Sequence, residues 1–267
     1  MREHPDSPIF RDGNLLILAY DHGLEHGPTN FDPNPESADP EHIFETATHD
    51  AVTALALQKG LAESYRRWEK QYEKASQLEK APLLVKLNGN SGLGSRTDYY
   101  SPKQCSVEYA VEELGAEAVG YTIYAGSDFE DKMWKEFRQV QEKARKYDVP
   151  VVMWAYPRGH GIDQNPDYSG QKDTDVIAYA ARLGLELGAD VVKCKYPGSK
   201  KETEKVLRNT GDMKFVMSGG SKRSDEKFLQ DVEASLSAGG NGLAVGRNVF
   251  QRKEPGKILD KLEEVIY

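Results

Sequence analysis

The sequence predicts an α/β fold, a (β/α)8 TIM barrel, as a single domain over residues 1–267 with an N-terminal extension at 1–13. Eight short apolar runs alternate with longer amphipathic stretches, and no shift in composition divides the chain. The apolar runs lack polar alternation, which is typical of parallel strands covered by helices. Eight such units in about 260 residues match the usual size of this barrel.

The eight apolar runs give the predicted strands, and the stretches between them give the helices. The strands are Leu15–Tyr20, Ala51–Leu57, Pro82–Leu87, Ala116–Ile123, Val149–Ala155, Asp190–Lys195, Lys214–Ser218 and Gly242–Val245. The helices are predicted near 40–49, 60–79, 103–114, 128–147, 174–187, 200–209, 225–238 and 255–266. Asp39 and Ser101 each precede a proline, a pattern typical of a helix N-cap. Residues 127–130 read Ser-Asp-Phe-Glu, the pattern of a capping box.

A doubly wound open sheet is the alternative fold. That fold would favour a glycine fingerprint after the first strand, to hold a dinucleotide pyrophosphate. The first predicted strand instead ends in Tyr20-Asp21-His22-Gly23, which does not match that fingerprint. The barrel is therefore the favoured prediction.

Composition excludes several classes of partner. The net charge of −8 argues against nucleic acid or an anionic membrane as the main partner. No apolar run approaches the roughly 20 residues of a membrane span, and the polar N-terminus does not resemble a signal peptide. Two cysteines, Cys105 and Cys194, give no disulfide framework and suit a reducing compartment, so we expect a cytoplasmic protein.

The most informative segment is Val191–Gly198, a buried strand that carries two lysines and runs into a turn. Alternate residues of a strand face the same side, so Lys193 and Lys195 point together and Cys194 points away. Burial and a neighbouring cation both lower a lysine pKa. At a pKa of about 7–8 roughly 10–50% of the amine is neutral at pH 7, and a neutral amine can form a Schiff base with a carbonyl. A lysine pair bound to an anion or to carboxylates is the structural alternative.

Two glycine-containing segments after the seventh and eighth strands predict a phosphate site. They contribute Ser218, Gly219 and Gly220, and then Gly246 and Arg247. Glycines let backbone N–H groups approach an anion, and TIM barrels often bind phosphate at these two loops. Arg247 would add a charge-assisted hydrogen bond. Ordinary glycine turns beside a surface arginine are the alternative.

Further polar residues follow the first and fifth strands, where a barrel carries its chemistry. Asp21 could serve as a counter-ion to the lysines, act on substrate hydroxyls, or cap a loop. Tyr156 could exchange protons or simply pack at the barrel mouth. Trp154 shares its strand face with Tyr156 and could line the pocket or fill the core, and Arg158 follows at the end of the same strand.

No metal site is predicted. His22 and His26 are four residues apart, but Gly23, Gly27 and Pro28 among them predict a loop, which would not align two ligands on one helix face. The sequence also lacks an H-E-x-x-H pattern and a cysteine–histidine cluster.

Taken together, these segments resemble the archaeal-type class I fructose-bisphosphate aldolases, a family that includes the DhnA-like enzymes of bacteria. The resemblance spans about residues 14–267. The matching segments are Leu18–Gly23, Glu25–Pro28, Lys86–Gly89, Val119–Tyr124, Trp154–Gly159, Ala189–Asp190, Lys193–Tyr196, Met217–Gly220 and Ala244–Asn248. Two segments depart from the family pattern: the loop after Arg158 is longer, and residues 90–95 form a glycine-serine stretch.

The resemblance implies a lyase of glycolysis and gluconeogenesis. Such an enzyme cleaves fructose 1,6-bisphosphate reversibly to dihydroxyacetone phosphate and glyceraldehyde 3-phosphate through a lysine Schiff base, with no metal and no cofactor. It implies that Lys193 is the covalent residue, with Lys195 beside it, that Asp21 and Tyr156 are the acid/base groups, and that Trp154 and Arg158 bind substrate. It also implies that residues 218–220 and 246–247 hold phosphate.

The resemblance further implies a homo-oligomer, with a decamer of two pentameric rings as its expected size. One alternative function shares the chemistry: a related Schiff-base enzyme such as 2-amino-3,7-dideoxy-heptulosonate synthase. Another belongs to a different class, a phosphosugar-binding barrel without turnover. The combination of Lys193, Asp21 and Tyr156 favours an enzyme.

Overall fold

The computed structural model describes His4 and residues 7–71, 80–94 and 99–267. Its eight strands form a closed barrel in which every neighbouring pair is parallel and strand order follows chain order. This confirms the predicted (β/α)8 barrel and excludes the open sheet. The strands are β1 (Leu15–Ala19), β2 (Ala54–Gln58), β3 (Leu83–Lys86), β4 (Ala118–Ala125), β5 (Val151–Pro157), β6 (Val191–Lys195), β7 (Lys214–Ser218) and β8 (Gly242–Val245).

Strand register sets the height of each inward-facing residue in the barrel. β1 closes the barrel against β8, with Leu15 opposite Gly242. On the far side, Lys193 of β6 lies opposite Trp154 of β5 and Val216 of β7. Lys193 and Trp154 therefore project from adjacent strands at one level, near the carboxyl ends where this fold carries its chemistry.

The helices surround the barrel. They are α1 (His22–His26), α2 (Pro40–Thr46), α3 (Lys59–Gln71), α4 (Glu130–Tyr147), α5 (His160–Asp163), α6 (Thr174–Glu186), α7 (Lys200–Leu207), α8 (Asp225–Ser237), α9 (Arg247–Phe250) and α10 (Pro255–Ile266). Short 3₁₀ turns cover Pro28–Phe31 and Pro35–Ala38, and a π-helical turn covers Tyr109–Glu113. Within the described ranges, no helix is long and apolar enough to cross a membrane.

The helix starts follow the sequence in part. Asp39 caps α2 as predicted, because its side chain accepts a hydrogen bond from the backbone N–H of Glu41 at 3.0 Å. In the predicted capping box, the Glu130 side chain accepts from Gly126 N rather than from Ser127, and α4 begins at Glu130. The predicted helix 60–79 is present as α3 up to Gln71, and residues 72–79 lie outside the described residues.

The predicted N-cap at Ser101 is wrong. Residues 102–105 lie against the end of β3 instead of starting a helix: Gln104 N and Cys105 N both donate to the carbonyl of Leu87, at 2.7 and 3.1 Å. These bonds use the N–H groups that a helix beginning at 103 would present at its first turn. Ser106 takes the capping role, since its hydroxyl accepts from Tyr109 N at 3.0 Å.

The apolar core has two layers. The inner layer fills the barrel and includes Ile17, Leu84, Val152 and Trp154. The outer layer lies between strands and helices and contains Cys194, which thus points away from Lys193 as predicted. The stretch predicted as an N-terminal extension contributes to the inner layer, because Ile9 is fully buried within it.

Candidate active site

The carboxyl ends of the strands surround a cavity of about 670 Å³. Every site residue predicted from the sequence lines it: Asp21, Trp154, Tyr156, Arg158, Lys193, Lys195, Ser218, Gly219, Gly220, Gly246 and Arg247. The cavity is also lined by residues that the sequence analysis did not assign, namely His22, Glu25, His26, Lys172, Tyr196, Pro197, Gly198, Ser221, Arg223, Lys227, Asp231 and Ala244. The barrel therefore brings the predicted set together at one site.

A buried ion-pair network lies at the base of this cavity. The ammonium group of Lys86, at the end of β3, is fully buried and donates to Asp21 Oδ2 at 3.2 Å and to Glu25 Oε1 at 3.1 Å. The two carboxylates more than neutralise the one ammonium group. The network therefore surrounds Lys193, the second lysine of the site, with a net negative charge.

Trp154 lies close to both buried lysines. The Nζ atoms of Lys86 and Lys193 each lie 4.9 Å from the centroid of its indole ring. The indole has room because β4 carries Gly120, where a Cβ would lie 2.6 Å from Trp154 Cζ3. Trp154 is therefore both part of the inner core and a wall of the site, and its ring face stabilises two ammonium groups.

Burial lowers the pKa of Lys193 to about 8, although the charge of Asp21 opposes the change. The Lys86 ammonium lowers this pKa further. The predicted direction is therefore correct, but Lys86 supplies the main cationic effect in place of Lys195. Lys193 is only 4% exposed, so burial, which disfavours the charged ammonium group, is the main cause of its lowered pKa.

Lys195 differs from Lys193 in its surroundings and not in its pKa. Burial, with the charges of Arg158 and Lys172, lowers the pKa of Lys195 to about 8 as well. Its side chain is half-buried nearer the rim and donates a hydrogen bond to Gln171 Oε1. Position beside Asp21 and Lys86, more than pKa, distinguishes Lys193 as the candidate nucleophile.

The two acid/base candidates are held in opposite protonation states. Burial would raise the pKa of Asp21, but the charge of Lys86 and the hydrogen bond that its ammonium group donates outweigh this effect and lower that pKa, so the carboxylate stays ionised. Burial and the charge of Asp21 raise the pKa of Tyr156 well above its usual value, so the phenol stays protonated. Asp21 thus accepts hydrogen bonds, while Tyr156 begins as a proton donor.

Arg158 lies over two tyrosine rings at the rim. Its guanidinium carbon is 5.3 Å from the ring centroid of Tyr124 and 5.4 Å from that of Tyr156. Both distances fall within the range of cation–π attraction. Arg158 therefore lies above Tyr156, the predicted acid/base tyrosine, and close to Lys195.

The predicted loop at His22 and His26 is wrong, since both residues lie in α1 and their ring centroids are 5.4 Å apart. Tertiary contacts stabilise this short helix, with His22 packed edge-on against Phe250 at 5.2 Å. Burial lowers the pKa of His22 to about 3, so the ring is neutral. The described ranges contain no cluster of three or more histidine, cysteine or acidic side chains suited to a metal ion.

The two predicted phosphate loops are tied together by a residue whose role the sequence analysis missed. The fully buried Asn248 donates from Nδ2 to the carbonyls of Gly219 and Ser221, at 2.7 and 3.0 Å, and accepts from Arg223 N at 2.9 Å. The side-chain amide of Asn248 thus makes three hydrogen bonds, two donated and one accepted, which hold the loop after β7 against the loop after β8.

Arg247 lies at the end of the cavity that the two predicted phosphate loops form. Its guanidinium group is half-buried, and burial lowers its pKa without bringing it near neutral pH. Its Nε atom has no hydrogen-bond partner among the described residues. Gly246 beside it must be glycine, because a Cβ there would lie 2.4 Å from His22 Cε1. These features favour an anionic ligand close to the backbone.

Lys86 and Glu25 are the most important residues that the sequence analysis left unassigned. A signal for Lys86 was present, because it is a lysine within an otherwise apolar strand, as Lys193 is. Glu25 follows the first strand, where polar residues are expected to carry the chemistry, but its contact with Lys86 depends on α1. Arg223, Lys227 and Asp231 reach the cavity through the loop and helix that follow β7, which strand patterns do not reveal.

A TIM barrel with a buried, pKa-lowered lysine facing a phosphate-type pair of loops belongs to the class of Schiff-base aldolases. Comparison with known proteins agrees: residues 15–252 match the family model described as DeoC/LacD family aldolase. The chain belongs to this family.

Individual relatives of this chain belong to a narrower group within the family. The class 1 fructose-bisphosphate aldolase of Halobacterium salinarum is 51% identical over 100% of this chain and 95% of its own length. The enzyme of the same name from Thermoproteus tenax is 44% identical over 96% of this chain and 91% of its own. A solved archaeal fructose-1,6-bisphosphate aldolase is 43% identical with a TM-score of 0.85, covering 97% of this chain and 96% of its own. In that structure the catalytic lysine is covalently bound to the carbinolamine intermediate of the substrate.

Proposed function

We propose that this chain is a class I fructose-bisphosphate aldolase that cleaves fructose 1,6-bisphosphate to dihydroxyacetone phosphate and glyceraldehyde 3-phosphate through a Schiff base on Lys193. The observation that carries the proposal is the environment of Lys193: a buried amine with its pKa lowered to about 8, beside Asp21 and Lys86. At that pKa about 10% of the amine is neutral at pH 7, against roughly 1 in 2,500 for an ordinary lysine.

The first step is attack by Lys193 on the substrate ketone. The neutral Nζ adds to C2, and the carbinolamine that results loses its hydroxyl group to give an iminium ion. Tyr156 starts protonated and donates its proton to the departing hydroxide, which leaves as water. The phenolate that remains is a strong base, because burial and the charge of Asp21 raise the pKa of Tyr156.

The second step breaks the bond between C3 and C4. The Tyr156 phenolate removes the proton of the C4 hydroxyl, C4 becomes the aldehyde carbon, and the bonding electrons move to C3 to form an enamine. Asp21 stays ionised beside Lys86, so it accepts a hydrogen bond from the substrate hydroxyl and orients it. Tyr156 then gives its proton to C3, and water adds to the iminium carbon C2 and passes a proton back to the Tyr156 phenolate. The C2–N bond of the resulting carbinolamine breaks, which releases dihydroxyacetone phosphate and the free amine of Lys193.

The two ends of the cavity suit a substrate with two phosphates. Gly219, Gly220, Gly246 and Arg247 form one end, and we assign it to the phosphate on C1, next to the Schiff-base carbon. At the other side Lys195 lies among positive charges, since Arg158 and Lys172 both lower its pKa after burial. Such a cluster favours an anion, and we assign it, with Ser218 and Trp154 lining the pocket between, to the phosphate on C6.

The heptulosonate synthase alternative shares the Schiff-base chemistry but is less supported, because both relatives described above are fructose-bisphosphate aldolases. A barrel that only binds phosphosugars would not need the lowered pKa of Lys193 or the ion-pair network. We also propose that the protein works without metal or cofactor, in the cytoplasm, within glycolysis and gluconeogenesis.

We propose, from the family resemblance alone, a homo-oligomer with a decamer of two pentameric rings as its expected size. Closed symmetry is the common outcome for soluble homo-oligomers. Light scattering at micromolar protein should then give a mass near ten subunits. A mass of about 30 kDa, close to the 29.8 kDa chain, would reject the assembly.

The chemical proposal is tested by trapping and by turnover. Borohydride reduction with dihydroxyacetone phosphate should attach the three-carbon adduct to a peptide containing Lys193, and Lys195→Arg should still be trapped. A coupled assay should detect cleavage of fructose 1,6-bisphosphate at an unchanged rate with EDTA present. An adduct on Lys195 alone would reverse the assignment, and loss of activity in EDTA restored by zinc would reject the mechanism.

A further inference from the structure

An ion cluster with an excess of positive charge lies at the outer rim of the proposed phosphate site. Asp231 of α8 is buried, with a side chain only 3% exposed, and it pairs with Arg223 and with Lys227, the latter at 3.1 Å. All three line the cavity. One carboxylate faces two cations, so the cluster retains about one positive charge next to the loop after β7.

The guanidinium group of Arg223 lies between Asp231 and the loop at Gly220. Its Nη1 donates to Asp231, while its Nη2 lies 3.7 Å from the position that a Cβ on Gly220 would occupy. The side chain is 40% exposed, so its remaining N–H groups are accessible from the cavity. An arginine offers five donors in a planar fork, and one carboxylate leaves several of them for a second anion.

The backbone of Arg223 is fixed from the other phosphate loop. Arg223 N donates to Asn248 Oδ1 at 2.9 Å, and the Arg223 carbonyl accepts from Arg252 Nη2 at 3.3 Å. Asn248 follows Arg247 and also holds Gly219. The two arginines and the glycine loop are therefore parts of one rigid unit.

We propose that Arg223 is a second arginine for the phosphate held by Gly219, Gly220, Gly246 and Arg247, and that Asp231 is a positioning residue that holds Arg223 in place. This rests on the proposed function in that it assigns a phosphate to those loops. Arg247 contacts the phosphate from inside the barrel, and Arg223 from the outer rim. Two arginines on one dianion sharpen selection for phosphorylated ketones over neutral ones.

The first test measures binding without turnover. Inorganic phosphate is titrated calorimetrically into the wild-type protein, Arg223→Ala and Arg208→Ala. Arg208 is an exposed arginine that does not line the cavity, so it controls for the lost charge. Arg223→Ala should bind phosphate about 10-fold more weakly and Arg208→Ala as the wild type does. Equal affinities for all three proteins would overturn the proposal, whether or not the protein is an aldolase.

The second test uses turnover and separates binding from folding. Arg223→Ala should raise KM for dihydroxyacetone phosphate about 10-fold in the condensation direction, with kcat within about twofold and dihydroxyacetone unaffected. Asp231→Asn should raise the same KM about 3-fold, and it should add nothing in the Arg223→Ala background, because its effect acts through that arginine. Equal losses for both ketones, or an Asp231→Asn effect independent of Arg223, would overturn the assigned roles. A wild-type protein that binds phosphate but forms no borohydride adduct would instead reject the aldolase function alone.

Discussion

Replacing Lys86 by methionine should raise the pKa of Lys193 and shift the pH dependence of turnover. Methionine keeps an unbranched apolar side chain of similar length and removes the charge. Both Nζ atoms lie 4.9 Å from the Trp154 centroid, so the two ammonium groups are at most about 10 Å apart. At an effective dielectric constant of about 20, two unit charges at that separation repel by about 1.7 kcal/mol, equivalent to about 1.2 pKa units.

The sign of the change follows from the charge that is lost. Lys86 disfavours a second cation, so its removal favours protonated Lys193 and moves the pKa from about 8 towards 9. The neutral fraction of the amine at pH 7 should then fall about 15-fold. Because the neutral amine is the reacting form, kcat/KM should fall by a similar factor at pH 7 and recover as the pH rises above the new pKa.

The assay is the pH profile of kcat/KM for fructose 1,6-bisphosphate cleavage between about pH 6 and 10. The acid limb should have its midpoint near pH 8 in the wild type and about one unit higher in Lys86→Met. Lys86→Arg keeps the positive charge and should leave the midpoint near that of the wild type, even if its activity is lower at every pH. A Lys86→Met profile with the wild-type midpoint would refute the electrostatic reasoning.

Three further substitutions test the proposed roles. Lys193→Arg keeps the charge but removes the usable amine, so turnover in the coupled assay should fall at least about 10³-fold and the borohydride adduct should disappear; an adduct of normal yield would contradict the assignment. Tyr156→Phe should slow turnover by about 10²–10⁴-fold with unchanged phosphate affinity, and cleavage at the native rate would mean that Tyr156 only lines the pocket. Arg247→Ala should lower kcat/KM for dihydroxyacetone phosphate by about 30- to 1,000-fold and much less for dihydroxyacetone. Equal losses for both ketones would mean that Arg247 supports the fold.

The eight-stranded barrel could be predicted because its signals are local. Buried parallel strands need continuous apolar side chains, and each run is short and bounded by polar or glycine residues. A lysine inside such a run, as at Lys193, is conspicuous because burying an ammonium group is costly. The position of Asp21 directly after β1 places it at the same rim by the same logic.

The charged groups that lie near Lys193 depend on the tertiary structure. The sequence pairs Lys193 with Lys195 two residues away, but the cation that lowers its pKa most is Lys86, from β3 across the barrel. Trp154, whose ring lies 4.9 Å from both Nζ atoms, has room for its indole only because residue 120 of β4 is glycine. Neither the register of the strands nor the span of an indole ring can be read from local periodicity.

Short helices and loop contacts depended on tertiary context for the same reason. A five-residue helix such as α1 has too few internal hydrogen bonds to form by itself, so propensity favours a loop, and packing of His22 against Phe250 reverses the outcome. Asn248 and Asp231 are ordinary polar residues in sequence, and closure of the barrel gives them partners on neighbouring loops. The sequence alone thus determined the barrel and the inward-facing lysine, because strand periodicity is local. The charged groups near that lysine, the hydrogen bonds between loops and the short helix α1 depend on the closed barrel, because their partners come from distant strands.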